Sequence, residues 1–206
     1  MVMNMLRLFS QFLKEVSKLY LTFGKRLFDI IFSILLIVIL FPLFIAISIL
    51  IKIFDTGPLI FYQKRIGLNE NLFIIYKFRS MPINTADIPS NKISKLNLNW
   101  VNRFIRRTNL DELPQLFNIL RGDMSFVGPR PAILSQKSLI EYRKNNNVFL
   151  FRPGVTGLAQ ILSFDGMSDY KKAKYDKDYV SSISFKNDIL IILKTCIYLL
   201  KPPPIY

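Results

Sequence analysis

Histidine is absent from the 206-residue chain, and cysteine occurs once. The first absence removes imidazole acid–base chemistry, Ser-His-Asp and Cys-His nucleophile systems, and histidine metal sites. The second removes a disulfide framework and a thiolate zinc cluster. Cys196 itself lies in the apolar run DILIILKTCIYLL, where a packed, unreactive thiol is expected. Acids are scarce too: 14 Asp and Glu stand against 28 Lys and Arg, a formal charge of +14. That excess, beside 51% hydrophobic residues, favours an anionic partner such as nucleic acid, anionic lipid or a phosphorylated substrate. No recognition-helix pattern, RNP-like motif or zinc knuckle is found, so nucleic acid is not expected. The length fits one domain with material for its own core, and no internal repeat is visible.

Apolar sequence is abundant. Ile30 to Ile51 carries no charge; as a helix at ~1.5 Å per residue it reaches ~33 Å, against a hydrocarbon core of ~30 Å. An ordinary spanning helix is one reading. Pro42, near the middle, removes a helical hydrogen bond and crowds the preceding turn, so a kink is expected near Leu40 to Pro42. Both flanks are basic: Arg7, Lys14, Lys18, Lys25 and Arg26 precede the segment, and Lys52, Lys64 and Arg65 follow it. Short cytoplasmic flanks are the ones enriched in Lys and Arg, so a simple span leaves one basic flank on the wrong side. A re-entrant helix over residues 24–54 that breaks at Pro42 and returns satisfies both flanks. A cleavable signal peptide fits less well, because the run starts late, is too long and lacks a small-residue cleavage site.

Residues 1–23 space Leu6, Phe9, Phe12, Leu13, Val16, Leu19 and Tyr20 as an amphipathic helix lying on a membrane or on the domain. Residues 185–201 read equally as an interfacial helix or a buried core helix, and the proline-rich tail over 202–206 cannot continue it. Between these ends, residues 55–201 read as a helix-rich α/β unit. LIFYQKR and LFIIYKFRS, joined by IGLNEN, predict a β-hairpin. Residues 82–99 read as a loop. Leu113, Leu116, Phe117 and Leu120 predict a helix from Asn109 or Asp111 to Arg121, with Gly122 as its C-cap. MSFV reads as a short strand, Ala132 to Asn145 as a helix, and FRPGVTGLAQI as a turn plus strand.

Asp111 and Glu112 form an adjacent acidic pair among Arg103, Arg106, Arg107, Arg121 and Arg130. Pro114 is tolerable only in a first helical turn, which puts the pair at the helix N-terminus, where free N–H groups and the dipole attract phosphate. Neighbouring helical positions point about 100° apart, so the two carboxylates have separate tasks. One role is nucleophile, since carboxylates form acyl phosphates; the other is to hold a divalent metal through hard oxygens. Alternatively both acids merely favour the helix start and pair with arginines. In GPRP, Gly128 to Pro131, two prolines stiffen the backbone around Arg130 and hold a guanidinium out for bidentate phosphate contact. A rigid structural turn explains the same four residues.

The ordered segments KRLFDIIFSILLIVILFPLF, GPLIFYQKRIG, IYKFRSM, LDELPQLFNILRGDMSFVGPRP and RPGVTGLAQI together resemble the bacterial sugar transferase family of monotopic phosphoglycosyl transferases. The resemblance covers about residues 24–162 and continues more loosely to about 200. It implies a monotopic membrane enzyme that transfers a sugar phosphate from a UDP-sugar to undecaprenyl phosphate, releasing UMP and initiating a surface glycan or glycoprotein glycan. It further implies Asp111 as nucleophile carrying a phosphosugar, Mg²⁺ at Asp111 and Glu112, and Arg106 and Arg130 on phosphates. Lys77 and Arg79 of YKFR belong to another family motif and are assigned to phosphate or substrate binding.

The resemblance places the catalytic domain on the cytoplasmic face of the bacterial inner membrane, with membrane lipid as a partner and a homodimer as a further expectation. Larger relatives carry four extra N-terminal transmembrane helices, so a minimal catalytic form is expected. Smaller members commonly have Ser before the breaking proline; here Phe41 returns no hydroxyl to the freed carbonyl, and the bend must be secured otherwise. The sugar is not legible. The competing function class is a non-catalytic membrane scaffold of a glycan assembly complex, in which position 111 carries no chemistry.

Overall fold

One long helix carries the apolar run. In the computed structural model, which describes residues 16–54, 57–81, 99–162 and 167–200, helix α1 (Lys25–Phe54) continues a helical segment that begins at Val16 and passes through a π-turn at Tyr20–Gly24. The segment Val16–Phe54 is long and apolar enough to cross a membrane. Pro42 lies inside α1, and the helix is not divided there. The helix runs on through Pro42, and contacts on both sides of the proline support it there. Leu36 and Ile37 before the proline and Phe44 after it rest on one cluster, formed by Ile75, Leu116, Ile119 and Met124. That shared surface keeps the two halves in register and offsets the lost hydrogen bond.

The rest of the chain supplies that surface. Strands β1 (Ile60–Ile66) and β2 (Leu72–Phe78) form the expected antiparallel hairpin, with Ile60 opposite Phe78 and Ile66 opposite Leu72. Helix α2 (Trp100–Arg107) follows, capped by the Asn99 side chain, which accepts from the Asn102 N–H at 2.7 Å. It buries Val101 and Ile105 against Ile47, Ile51 and Phe78. Next come α3 (Gln115–Arg121), β3 (Ser125–Val127), α4 (Lys137–Asn145), β4 (Gly154–Thr156), α5 (Leu158–Leu162), α6 (Asp169–Ser181) and α7 (Phe185–Leu200). Strands β3 and β4 pair in parallel, Ser125 with Gly154 and Val127 with Thr156. A Cβ on Gly128 would fall 2.5 Å from the Arg152 carbonyl oxygen, so glycine is what permits this close approach.

Polar contacts fix α1 to this unit. Arg26 donates to the Ile119 and Leu120 carbonyls at 2.6 and 2.7 Å, placing a cation on the C-terminus of α3. Buried Asp29 accepts from the Ser125 hydroxyl and the Phe126 N–H, both at 3.0 Å. Lys25 pairs with Asp188 of α7 at 2.5 Å, and the same carboxylate accepts from the Tyr20 and Tyr179 hydroxyls at 2.6 and 2.8 Å.

Residues 1–15, all but the last residue of the loop expected over 82–99, and the tail from 201 lie outside the described residues. The helix expected from Ala132 starts at Lys137, because Ala132 bridges to Ile66. Residues 158–162 are helical rather than extended. The expected packed thiol is not found: Cys196 is exposed, on the same outer side of α7 as the exposed Leu193 and Leu199, while Asp188 and Ile191 face inward.

Candidate active site

Asp111 and Glu112 stand between two helices rather than in the first turn of one. Helix α2 ends with Arg106 and Arg107 in its last turn, and Thr108 donates its hydroxyl to the Phe104 carbonyl at 2.8 Å. Asn109 then takes a left-handed conformation (φ 53°) and turns the chain into a 3-10 turn, Leu110–Glu112. Pro114, with φ −61°, caps α3 and separates the turn from that helix. The sequence reading of a single helix missed this because the apolar spacing continues across the proline.

The hairpin brings Lys77 to the pair. Asn118 of α3 hydrogen-bonds β2 as a neighbouring strand would: its side-chain N–H donates to the Ile74 carbonyl at 2.7 Å, and its oxygen accepts from the Tyr76 N–H at 2.9 Å. That register sets Lys77 over the turn, and its ammonium donates to Glu112 Oε1 at 2.7 Å. Arg130 reaches the same oxygen from the GPRP loop, through Nη2 at 3.0 Å. Two cations on one carboxylate oxygen leave Glu112 a fixed, ionised group. Burial alone would push its carboxyl up, but Lys77 and Arg130 outweigh burial and hold it well below the ordinary carboxylate range.

Asp111 has the opposite environment. It is 9% exposed, and burial, reinforced by the adjacent Glu112 charge, pushes its carboxyl up to about 6 against the pull of Lys77, Arg106 and Arg130. The two acids are thus separated in basicity by their surroundings. One is locked in ion pairs, and the other is the more basic oxygen group, inside a ring of three cations.

Of the residues picked out in the sequence, Asp111, Glu112, Lys77, Arg106 and Arg130 converge. Arg79 does not join the two ion pairs to Glu112: it is 3% exposed and packs so tightly beneath Gly57 that a Cβ there would overlap the guanidinium. Among the described residues no three of His, Cys, Asp and Glu gather as a metal cage. The donor set nevertheless fits Mg²⁺, an ion that commonly binds through one or two carboxylates and completes its shell with water and substrate phosphates. The sequence reading missed Arg143, which holds the backbone of Arg130 and is separated from its own carboxylate partner, Asp176, by a 3-10 turn, a strand and a helix among the described residues; no spacing signal announces such a pair.

Two adjacent carboxylates of different basicity, one of them ion-paired, ringed by Lys and Arg next to a long apolar helix, define a site suited to phosphoryl groups rather than to neutral substrates. Residues 20–202 match the family described as bacterial sugar transferase, and the chain belongs to that family. It is 37% identical over 191 residues to an undecaprenyl-phosphate galactose phosphotransferase of Salmonella typhimurium, covering 84% of this chain and 40% of the relative. It is 38% identical over 182 residues to a UDP-glucose:undecaprenyl-phosphate glucose-1-phosphate transferase of Klebsiella pneumoniae, with 83% and 39% covered. A UDP-N-acetylgalactosamine-undecaprenyl-phosphate N-acetylgalactosaminephosphotransferase of Aeromonas hydrophila is 35% identical over 183 residues, with 84% and 43% covered. The chain spans about two fifths of the length of these curated relatives.

Proposed function

We propose that this protein transfers a sugar-1-phosphate from a UDP-sugar to undecaprenyl phosphate, giving undecaprenyl diphospho-sugar and UMP. The observation that carries this reading is the divided acid pair: Glu112 tied by Lys77 and Arg130, and Asp111 buried beside it with its carboxyl pushed up to about 6. In the first half, a carboxylate oxygen of Asp111 attacks the β-phosphorus, the bond from that phosphorus to the bridging oxygen breaks, and UMP leaves. In the second, a phosphate oxygen of undecaprenyl phosphate attacks the same phosphorus and the Asp111 carboxylate departs. Asp111 gives up and regains no proton in either half, provided it starts ionised, so the absence of histidine is no obstacle.

Lys77, Arg106 and Arg130 orient the phosphates and offset the charge that spreads over the transferring group. Mg²⁺ held by Asp111 and Glu112 would neutralise diphosphate charge when bound. The curated relatives named above are called transferases of galactose, of glucose-1-phosphate from UDP-glucose and of N-acetylgalactosamine phosphate from UDP-N-acetylgalactosamine, which supports a UDP-sugar donor without choosing among them.

The membrane arrangement follows the same reading. We place the catalytic unit on the cytoplasmic face of the bacterial inner membrane, with both ends of α1 on that side. Support comes from the anchors: Arg26 and Asp29 near its start and Ile47 and Ile51 near its end all bind the one folded unit. A polyprenyl phosphate head stays in the headgroup plane and a nucleotide sugar in the cytosol, so a nucleophile shared by both belongs at that boundary.

The test is UMP release from membrane-extracted protein given Mg²⁺, undecaprenyl phosphate and a panel of UDP-sugars. Release with one or more donors, lost in Asp111→Asn, is expected. Equal release by Asp111→Asn would refute the assignment.

A further inference from the structure

Arg130 reaches Glu112 from a loop, and a loop side chain is only as well placed as its backbone. That backbone is gripped from beneath. Arg143, on α4, is 3% exposed and donates Nη1 to the Arg130 carbonyl at 2.7 Å. Its other two nitrogens donate to a single oxygen of Asp176 on α6: Nε at 2.8 Å and Nη2 at 2.7 Å. Asp176 is 1% exposed. The loop is also held on either side of this contact. Arg65 donates to the Pro131 carbonyl at 3.0 Å, and the Gly154 N–H donates to the Pro129 carbonyl at 3.0 Å.

A buried ion pair adds little net stability compared with apolar residues of the same volume, because desolvation of both charges offsets their attraction. Here the pair has a geometric product. The planar guanidinium uses two nitrogens to lock onto α6 and aims the third at one backbone carbonyl, a division that a lysine ammonium cannot reproduce. We propose that Arg143 and Asp176 are positioning residues for the transfer reaction: they fix the Arg130 backbone so that its guanidinium meets Glu112 and the substrate phosphates. Neither residue touches the reacting atoms. This inference rests on the reading of Arg130 as a phosphate-holding group.

The experiment is a double-mutant cycle on UMP release, using the full chain extracted from membranes, with thermal melts reporting the fold of each variant. Arg130→Lys alone is expected to lose activity. Arg143→Lys is expected to lose up to about a hundredfold, since a ~1 Å misplacement can cost that much, while still melting cooperatively. The combination Arg130→Lys with Arg143→Lys should lose no more than the worse single variant, because both act through one guanidinium. If the Arg143→Lys chain does not fold, the same cycle is run with Asp176→Asn, which keeps the Arg130 carbonyl contact but loosens its anchor. Losses that multiply, or a folded Arg143→Lys with unchanged activity, would overturn the positioning role while leaving the transferase reading intact. Full activity of Arg130→Lys would instead refute the phosphate role of Arg130, and this inference with it.

Discussion

Two neighbouring carboxylates with opposite electrostatic fates make a stability prediction that needs no substrate. Asp111 in the fold has a carboxyl raised to about 6, so between the unfolded value of ~3.9 and 6 the folded state binds the extra proton. Stability from this residue therefore rises as pH falls through 6, and at pH 7.5 its ionised form is a cost. Asp111→Asn should stabilise the protein at pH 7.5, by on the order of 1–3 kcal/mol from a shift of this size. Glu112 runs the other way: its folded carboxyl is held low, so its stabilisation is fully present above the unfolded value of ~4.3 and is lost progressively as pH falls from there through the lower folded value. Glu112→Gln should destabilise at pH 7.5, leaving Lys77 short of its partner. Melts of both variants in detergent check the pair of signs; two destabilised variants would contradict the account.

At the scale of elements, the contact between α3 and β2 decides where Lys77 sits. Asn118 is fully buried and serves two backbone groups of β2, so Asn118→Ala strands the Ile74 carbonyl and the Tyr76 N–H. At about 1–3 kcal/mol for each buried group left unsatisfied, a loss of about 2 kcal/mol or more is expected in a thermal or denaturant melt, with activity falling beyond what the unfolded fraction explains. A loss below 0.5 kcal/mol, on the scale of about a surface substitution, would mean that the hairpin is held by other contacts.

Elements with local punctuation were legible in the sequence. The hairpin had its alternating runs and Gly/Asn turn, α3 had Gly122, and α7 had its apolar run. Helix α2 was hidden because Trp100 and Phe104 face outward while Val101 and Ile105 face in, so apolar residues mark both sides and blur the period. The parallel β3–β4 pairing joins two three-residue strands far apart in the chain, and strands that short carry no periodicity. The acid pair itself was legible by its position among basic residues. Its division into a paired Glu112 and a more basic Asp111 depends on Lys77, which enters from a strand 35 positions away.

Across the whole molecule, the basic excess and the outward apolar face of α1 point to one boundary. The apolar side chains Val38, Ile39, Phe41, Ile45 and Ile49 are exposed on α1, and the cations Lys18 and Lys52 stand toward its two ends. Basic groups near an anionic leaflet each gain about 1 kcal/mol, so both flanks favour the same surface. In a Cys196→Ser background, which removes the exposed native thiol, Lys18→Cys and Lys52→Cys should both react with an impermeant maleimide from the cytoplasmic side of the membrane. Labelling of the two positions from opposite sides would make α1 a true span and would contradict the placement proposed here.

The most direct test of the central claim is the mass of the protein after exposure to its UDP-sugar with undecaprenyl phosphate withheld. The account predicts a phosphosugar adduct on the intact chain, mapped by peptide fragmentation to Asp111, absent in Asp111→Asn and discharged when undecaprenyl phosphate is added. An adduct on any other residue, or UMP released in step with product while the protein never gains mass, would contradict it.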